Sequence, residues 1–188
     1  MFIRSERLFL RPGWPEDWQD LHARIADEAV VKNLAKAPWP YTADDARSFA
    51  ARPQDMRCTH FFVTLPTSSA PAELLGCVGL ASDGDQVELG YWFGRAHWGQ
   101  GFATEAARAV LRLARTLGHR RIVAKHFTDN PASGRVLAKL GFRFTGEVRP
   151  SYSLARGCEA PALVHAIEFA AQSDCDGDGD GFPGMRAA

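Results

Sequence analysis

The sequence of 188 residues has no excess of charge of either sign, because 22 Lys and Arg residues balance 22 Asp and Glu residues. This balance excludes an overall basic nucleic-acid binder and an acidic solvating chain. The sequence also has no apolar run near the roughly 18 residues that span a bilayer. Its first residues, MFIRSERLFLRP, contain no signal-peptide core. We therefore expect a cytoplasmic protein that binds neither DNA nor a membrane.

Cysteine is scarce and dispersed. Cys58, Cys77, Cys158 and Cys175 form no CxxC pair, and the histidines show no metal-ligand spacing. We therefore expect reduced thiols and no metal site. Cys77 lies in an apolar run and is predicted to be a core residue.

The composition is that of one globular domain, with 46% apolar and 23% charged residues. We assign residues 1–172 to this domain and 173–188 to a disordered, acidic and glycine-rich tail. The Asp-x-Asp-x-Asp-Gly run of the tail imitates the start of a calcium loop. The twelfth position of that loop would be Met185 or Ala187, and neither side chain can bind calcium.

Hydrophobic periodicity predicts an α+β fold in which a mixed, mostly antiparallel sheet is flanked by helices. From 101 to 117, apolar residues recur at steps of three and four, as in an amphipathic helix. Three β-rich runs at 60–65, 74–81 and 86–93 are separated by turn residues and predict an antiparallel meander. The other predicted elements are strands at 2–11, 121–125, 142–149 and 162–169, and helices that start near 14, near 42 and at 131.

The segment WGQGFATEA at 98–106 joins a predicted strand to the long predicted helix. Glycines at 99 and 101 allow a tight turn, and the first N–H groups of a helix lack intrahelical partners. Such a helix start suits a pyrophosphate, although a plain glycine turn is the alternative. The stretch 95–149 carries 11 Lys and Arg against 3 Asp and Glu, which favours an anionic ligand.

Two other nucleotide sites fit this segment less well. A dinucleotide site requires GxGxxG and an acidic residue about 20 residues later. Here Thr104 replaces the third glycine, and Arg121 stands near the acidic position. A triphosphatase loop, GxxxxGK[ST], is absent from the sequence. Coenzyme A, which needs one anion loop and some basic residues, fits better.

Four stretches resemble the GCN5-related N-acetyltransferase (GNAT) superfamily and, within it, the group of ribosomal-protein N-terminal acetyltransferases. They are SERLxLR at 5–11, ELGYW at 88–92, WGQGFATEA at 98–106 and NxxSxxVLxKLGF at 130–142. They follow the family's order through nearly the whole predicted domain. The resemblance implies a single-domain acyl-CoA N-acyltransferase fold with acetyl-CoA as the acyl donor.

The resemblance also implies which residues bind the donor. Backbone N–H groups of 99–104 would hold the pyrophosphate, and Asn130 and Ser133 match positions that contact the pantetheine arm or the CoA phosphates in relatives. Trp98 stands where much of the superfamily has Arg or Gln, and tryptophan is usual there in this subgroup. The full predicted set is Trp92, Phe93, Trp98, Gly99, Gln100, Gly101, Phe102, Ala103, Thr104, Asn130 and Ser133.

Direct acyl transfer needs a hydrogen-bond donor that stabilises the oxyanion, a base for the amine and a proton donor for the thiolate. In the family a β-bulge supplies the oxyanion N–H, and the broken alternation at 91–93 predicts a bulge there. Glu88 is the predicted base, with a half-exposed structural carboxylate as the alternative. Some relatives carry a tyrosine acid where this chain has Leu137. Ser133 is a candidate proton donor, and cofactor binding or helix positioning is its favoured alternative.

We therefore predict an acetyl-CoA-dependent N-acetyltransferase acting on a primary amine, either a protein N-terminus or a small-molecule amine. A non-catalytic acyl-CoA-binding sensor is the alternative, and a nicotinamide-dinucleotide enzyme is the third hypothesis. The segment Trp39-Pro40-Tyr41 would form an acceptor wall or an aromatic staple. A homodimer stays an open expectation. The connection at 149–161 would line the acceptor site or form a solvated hairpin, through Arg149, Tyr152, Arg156 and Glu159.

Overall fold

The computed structural model describes residues 1–53, 55, 58–68 and 71–170, so the predicted tail and Cys175 lie outside the described residues. Eight strands form one sheet: β1 (Ile3–Arg4), β2 (Phe9–Arg11), β3 (His60–Leu65), β4 (Glu73–Asp83), β5 (Gln86–Phe93), β6 (Arg121–Phe127), β7 (Arg143–Ser153) and β8 (Cys158–Glu168). Their order across the sheet is β1-β2-β3-β4-β5-β6-β8-β7. The β5–β6 pair is parallel, and the other neighbours are antiparallel.

Five α-helices accompany the sheet in the described part of the chain: α1 (Trp18–Ile25), α2 (Glu28–Val31), α3 (Ala43–Ala50), α4 (Phe102–Thr116) and α5 (Pro131–Lys139). Short 3-10 turns precede α1 and α4, at Pro15–Asp17 and Arg95–His97. The predicted α+β class, with a mixed and mostly antiparallel sheet, is confirmed. None of the described helices is both long enough and apolar enough to cross a membrane.

The predicted single strand at 2–11 is wrong, because this segment folds as a short hairpin of β1 and β2. Its turn is closed by the Ser5 N–H, which donates to the Leu8 carbonyl over 2.9 Å. The helix α2 was also missed. It has four residues, and its cap is the Asp27 carboxylate, which accepts from the Ala29 N–H over 2.8 Å. A segment this short shows no periodicity in the sequence.

The two faces of the sheet carry different hydrophobic cores. Leu89 and Phe93 of β5 pack with α4 on one face. Trp92 of β5 packs with α1, α2 and α3 on the other face, which we call the acceptor face. The split follows from the period of two along a strand, which sends successive side chains to opposite faces. Glu88 and Gly90 therefore share the acceptor face with Trp92.

The strands β5 and β6 diverge after one recorded pair, Glu88 with Val123. We call the space between them the β5–β6 gap. The bulge predicted at 91–93 is wrong, because β4 and β5 pair one to one from Asp83–Gln86 through Gly76–Phe93. The alternation breaks there because both faces of β5 are buried at this end, with Phe93 in one core and Trp92 in the other, and not because β5 contains an extra residue.

Candidate active site

The turn at 99–101 lies at the end of the segment that connects β5 to α4, and its backbone conformation requires glycine. Gly99 and Gly101 have φ angles of +76° and +81°, in the left-handed region that L side chains rarely adopt. Gly101 is the N-cap of α4 and provides no side-chain cap. By contrast, α3 and α5 are capped by the side chains of Thr42 and Asn130. The first N–H groups of α4 are therefore left for an external anion.

Two side chains brace this turn from outside. The Trp98 Nε1 donates to the Phe93 carbonyl over 2.8 Å, and the Gln100 Nε2 donates to the Ala96 carbonyl over 3.0 Å. His97 lies behind the turn, with its Nε2 3.5 Å from a Glu73 carboxylate oxygen. Gly99 and Gly101 of the turn line the adjoining cavity.

One continuous cavity of about 1360 Å³ runs from this turn through the β5–β6 gap to the acceptor face. Most of the predicted donor-binding set lines it, whereas the Gln100 side chain is directed to Ala96. The predicted site residues on the cavity wall are Glu88, Trp92, Phe93, Trp98, Gly99, Gly101, Phe102, Ala103, Thr104, Asn130 and Ser133. The structure thus brings together residues that are widely separated in the sequence.

A pair of hydroxyl groups joins β5 to α5. The Tyr91 Oη of β5 lies 2.7 Å from the Ser133 Oγ of α5, and the two share a hydrogen bond. Burial raises the pKa of Tyr91 to about 12, although the bond with Ser133 opposes this shift. The phenol is therefore protonated at neutral pH. Asn130 acts as the N-cap of α5, since its Oδ1 accepts from the Ser133 N–H over 3.2 Å.

Tyr91 was not predicted as a site residue, although ELGYW contributed to the resemblance. A polar aromatic on the otherwise apolar face of β5 was the available signal. Leu137, at the position of the tyrosine acid in some relatives, is fully buried in the core.

Glu88 lies on the acceptor face, and its Oε2 is 3.4 Å from the Lys125 Nζ of β6. The two side chains are partly shielded, with 28% and 22% of their surfaces exposed respectively. They sit at the point where the strands begin to diverge, because Glu88 pairs with Val123. The carboxylate is therefore positioned at the acceptor side of the gap.

A row of two glycines and a histidine crosses the acceptor face. Gly90 of β5 pairs with Gly79 of β4, which pairs with His60 of β3. A Cβ at Gly90 would have no atom within 4 Å, so the row is open above β5. Burial, and then the Arg52 guanidinium, lower the pKa of His60 below its usual 6.5. His60 is thus neutral near pH 7. No pattern in the sequence indicates that it lines the cavity.

The far end of the acceptor side is tied together by the β7–β8 hairpin. Ser153 Oγ donates to the Leu34 carbonyl over 3.0 Å, and the Leu154 N–H donates to the Ala35 carbonyl over the same distance. Arg156 Nε donates to the Lys32 carbonyl over 2.8 Å. These bonds hold the segment at 32–35 over the acceptor face, and we call it the roof.

The predicted acceptor residues take different places in this arrangement. Tyr41 lines the cavity and is buried in the acceptor-face core, whereas Trp39 is 41% exposed. Tyr152 also lines the cavity. Arg156 is a structural tie, since its guanidinium donates twice to the Asp129 carboxylate at 2.9 Å. Arg149 pairs with Glu147, and Glu159 is exposed.

The remaining chemistry-bearing residues act structurally. Cys77 is buried in the acceptor-face core, as predicted, and burial raises the pKa of its thiol to about 12. Burial also lowers the pKa of His97. Within the described residues, no group of three or more His, Cys, Asp or Glu side chains is arranged to hold a metal ion.

Comparisons with known proteins agree with this geometry. A family model described as an acetyltransferase (GNAT) domain matches residues 7–143. The uncharacterized N-acetyltransferase YoaA of Bacillus subtilis is 29% identical over 174 residues, which cover 88% of this chain and 95% of that protein. The ribosomal-protein-serine acetyltransferase of Escherichia coli is 38% identical over 61 residues, which cover 32% of this chain and 34% of that protein. A solved GNAT-family acetyltransferase from Bacillus anthracis has a TM-score of 0.75 at 26% identity, over 89% of this chain and 98% of that chain.

The matched family range contains both the turn that starts α4 and the diverging strands. The backbone N–H groups at that turn and the cavity that follows suit the pyrophosphate and the extended arm of coenzyme A. The chain therefore belongs to the GNAT family: it is an acetyltransferase, and acetyl-CoA is its acetyl donor.

Proposed function

We propose that the protein transfers the acetyl group of acetyl-CoA directly to a primary α-amino group, on a protein N-terminus or on a small molecule. The observation that carries this proposal is the continuity of the cavity, which connects the α4 turn to the acceptor face. A donor entering from one side and an amine entering from the other can meet at the β5–β6 gap. Direct transfer requires such a meeting point.

The donor half of the site would be held by backbone groups. The turn at 99–101 and the first turn of α4 would bind the pyrophosphate through N–H groups at the positive end of the helix dipole. Since the Gly94 N–H donates to the Leu75 carbonyl of β4, the N–H groups of Tyr91 and Phe93 point to the β5–β6 gap. One of them can stabilise the oxyanion of the tetrahedral intermediate, a contribution of about 10²–10³ in rate.

Glu88 is the proposed base. It would take a proton from the substrate ammonium, directly or through one water, so that the neutral nitrogen attacks the thioester carbonyl. An α-amine has a pKa near 7.7–8.0, so its neutral form costs about 1.2 kcal/mol at pH 7, against about 4.6 kcal/mol for a lysine. The smaller cost favours an α-amine as the acceptor at this site, where Glu88 is ion-paired with Lys125.

Ser133 and Tyr91 are the proposed partners of the leaving group. When the C–S bond breaks, the sulfur becomes a thiolate, and a hydroxyl of this pair can donate a hydrogen bond or a proton to it. The Ser133 hydroxyl would donate to the sulfur, and the Tyr91 phenol, which is protonated at neutral pH, would donate in turn to the Ser133 oxygen across the 2.7 Å bond. The name of the E. coli relative, a ribosomal-protein-serine acetyltransferase, supports a protein acceptor, and its match covers a third of this chain.

The donor assignment is tested by thermal unfolding of the full chain with acetyl-CoA and, separately, with NAD or NADP. A ligand at 100 times its Kd adds about 2.7 kcal/mol of stability. For a chain of this size that is a Tm rise of about 5–10 °C. We expect this rise with acetyl-CoA and none with the dinucleotides. A rise with NAD alone would overturn the proposal.

The base is tested by free-thiol release with a panel of peptide α-amines, peptide lysines and small amines. We expect Glu88→Gln to lower kcat by about 100-fold and to leave the Kd for acetyl-CoA unchanged. The control is Glu168→Gln, an exposed, ion-paired carboxylate at the end of β8, with unchanged turnover. Wild-type turnover in Glu88→Gln would refute the base and make His60→Gln the next variant. Binding of acetyl-CoA without turnover of any amine would support the sensor instead.

A further inference from the structure

Glu105, in the first turn of α4, collects three hydrogen bonds from the turn of the β1–β2 hairpin. Its Oε1 accepts from the Ser5 Oγ at 2.8 Å and from the Arg7 N–H at 2.7 Å. Its Oε2 accepts from the Arg7 Nε at 2.7 Å. Burial raises the pKa of Glu105, but these bonds outweigh burial, and the pKa lies below its usual value. The carboxylate is therefore ionised at neutral pH.

Arg7 continues from Glu105 to the anion-binding turn itself. Its Nη1 donates to the Gln100 carbonyl over 3.2 Å, and its guanidinium carbon lies 4.6 Å from the centre of the Phe102 ring. A Cβ placed on Gly101 would be 3.6 Å from the Arg7 Nη2. The same side chain thus contacts the residues before and after the N-cap of α4 and lies beside the N-cap itself.

The charges explain why both residues are needed. A carboxylate in the first turn of a helix interacts favourably with the dipole, but it repels a pyrophosphate bound at the same helix end. The Arg7 guanidinium neutralises Glu105, while Glu105 fixes the guanidinium against the Gln100 carbonyl. The Gln100 carbonyl oxygen accepts a hydrogen bond from Arg7. Its partial negative charge therefore points away from a bound anion.

We propose that Arg7 and Glu105 are positioning residues for acetyl-CoA: the ion pair sets the backbone of the 99–101 turn and cancels a negative charge beside the pyrophosphate. This inference rests on the proposed donor site. It assigns a role in donor binding to the N-terminal hairpin, which is remote from the reacting atoms. The two residues set donor affinity and leave the chemical step unchanged.

The test compares the Kd for acetyl-CoA, by calorimetry, in wild type, Arg7→Gln, Arg7→Lys, Glu105→Gln and the double variant Arg7→Gln/Glu105→Gln. A charge-assisted hydrogen bond corresponds to a change of about 10- to 100-fold. We expect Arg7→Gln to raise the Kd by about 10-fold or more. Arg7→Lys keeps the positive charge and loses the several N–H donors of the guanidinium. Its Kd for acetyl-CoA should therefore lie between those of Arg7→Gln and wild type. The double variant should bind more tightly than Arg7→Gln, because no uncompensated carboxylate remains.

The matched control is Arg121→Gln. Arg121 is 47% exposed and lies 3.9 Å from Glu168, compared with 44% exposure for Arg7 in its own ion pair. We expect unchanged affinity in this control and, once saturated with acetyl-CoA, wild-type kcat in Arg7→Lys. Equal losses in Arg121→Gln and Arg7→Gln would show an effect of net charge and overturn the inference, as would wild-type affinity in folded Arg7→Gln.

Hydrogen exchange of the ligand-free protein gives a second readout that needs no binding. We expect amides of 105–108, which donate to carbonyls of the turn and of the first turn of α4, as the Glu105 N–H does to Gly101, to exchange faster in Arg7→Gln and Glu105→Gln, with unchanged exchange in α5. If wild type itself shows no affinity for acetyl-CoA, the proposed function fails, and exchange at 105–108 still decides whether the pair fixes the turn. Unchanged exchange in both variants would refute the positioning role.

Discussion

Leu137 and Ser133 lie four residues apart, on the same face of α5. The resemblance implies a tyrosine acid at 137 in some relatives, and this chain has a buried leucine there. One helical turn earlier, Ser133 shares its hydrogen bond with the Tyr91 phenol. The proton-donating function would thus be moved along α5 by one turn and divided between two residues from different elements.

This division predicts different effects for two conservative variants. We expect Ser133→Ala to lower kcat by about 100-fold and Tyr91→Phe by about 10-fold, because the serine would contact the sulfur and the tyrosine would act through it. The KM for acetyl-CoA should change little in both variants. Steady-state kinetics with thiol detection measures these values, and Thr116→Ala, at the end of α4, is the control. A wild-type kcat in Tyr91→Phe would leave the phenol a packing role alone.

At the scale of the element, β5 is the strand along which the proposed function brings the two substrates together. Its side chains alternate between the two cores, its backbone faces the gap, and Gly90 leaves its acceptor face open. A methyl group at Gly90 would enter free space, whereas a Cβ at Gly79 would lie 2.6 Å from the His60 Cα. Equal substitutions in adjacent strands therefore have opposite structural consequences.

We expect Gly90→Ala to keep the Tm of wild type, or to raise it slightly by restricting the unfolded chain. The variant should raise the KM for the amine, because the added methyl group occupies part of the cavity above Gly90. Gly79→Ala should lower the Tm, since strand backbone cannot move aside without breaking the β3–β4 ladder. Thermal unfolding and amine titrations check both variants. An equal loss of Tm in the two variants would contradict the open row at Gly90.

The elements that the sequence predicted best are those whose signal is local. The helix predicted at 101–117 is observed at Phe102–Thr116, because its apolar stripe and its glycines are contiguous in the sequence. The hairpin at 3–11 was missed because its turn, closed by Ser5 and Leu8, contains no Gly, Pro, Asn or Asp, and because Glu105, which helps to hold it, is remote in the chain. The Tyr91–Ser133 bond and the His60–Gly79–Gly90 row were missed for the same reason. Pairings between distant elements leave no periodic pattern.

At the scale of the whole molecule, the acceptor side depends on a tie between the β7–β8 hairpin and the roof. Arg156 joins Asp129 to the Lys32 carbonyl and stacks its guanidinium 4.4 Å from the centre of the Phe127 ring. The hydrogen bond from Arg156 is the largest cause that lowers the pKa of Asp129. The donor end of the cavity has an independent support in the β1–β2 hairpin.

This arrangement predicts that Arg156→Gln raises the KM for the amine and leaves the Kd for acetyl-CoA unchanged. Because the pKa of Asp129 is lowered from 3.8 in the folded protein, its ion pair stabilises the fold above that pH. The contribution is lost as the pH falls through the lowered value. The stability difference between wild type and Arg156→Gln, from urea unfolding, should therefore be constant near neutral pH and shrink in acid. A difference that grows in acid would contradict the assignment.

A matched control for that experiment is Arg47→Gln. Arg47 pairs with Asp44 on the outside of α3, and both side chains are more than half exposed, at 52% and 90%. Surface pairs of this kind contribute about 0–1 kcal/mol. We therefore expect unfolding close to wild type at every pH.

The divergence of β5 and β6 has a consequence for handling the protein. Past Glu88–Val123, no further pair joins these two strands within the described residues. One edge of β5 and one edge of β6 therefore face each other across the β5–β6 gap. Strand edges of this kind are templates on which other polypeptides can assemble. Acetyl-CoA bound in the β5–β6 gap would cover both edges, so we expect saturation with the cosubstrate to lower the tendency of the protein to aggregate.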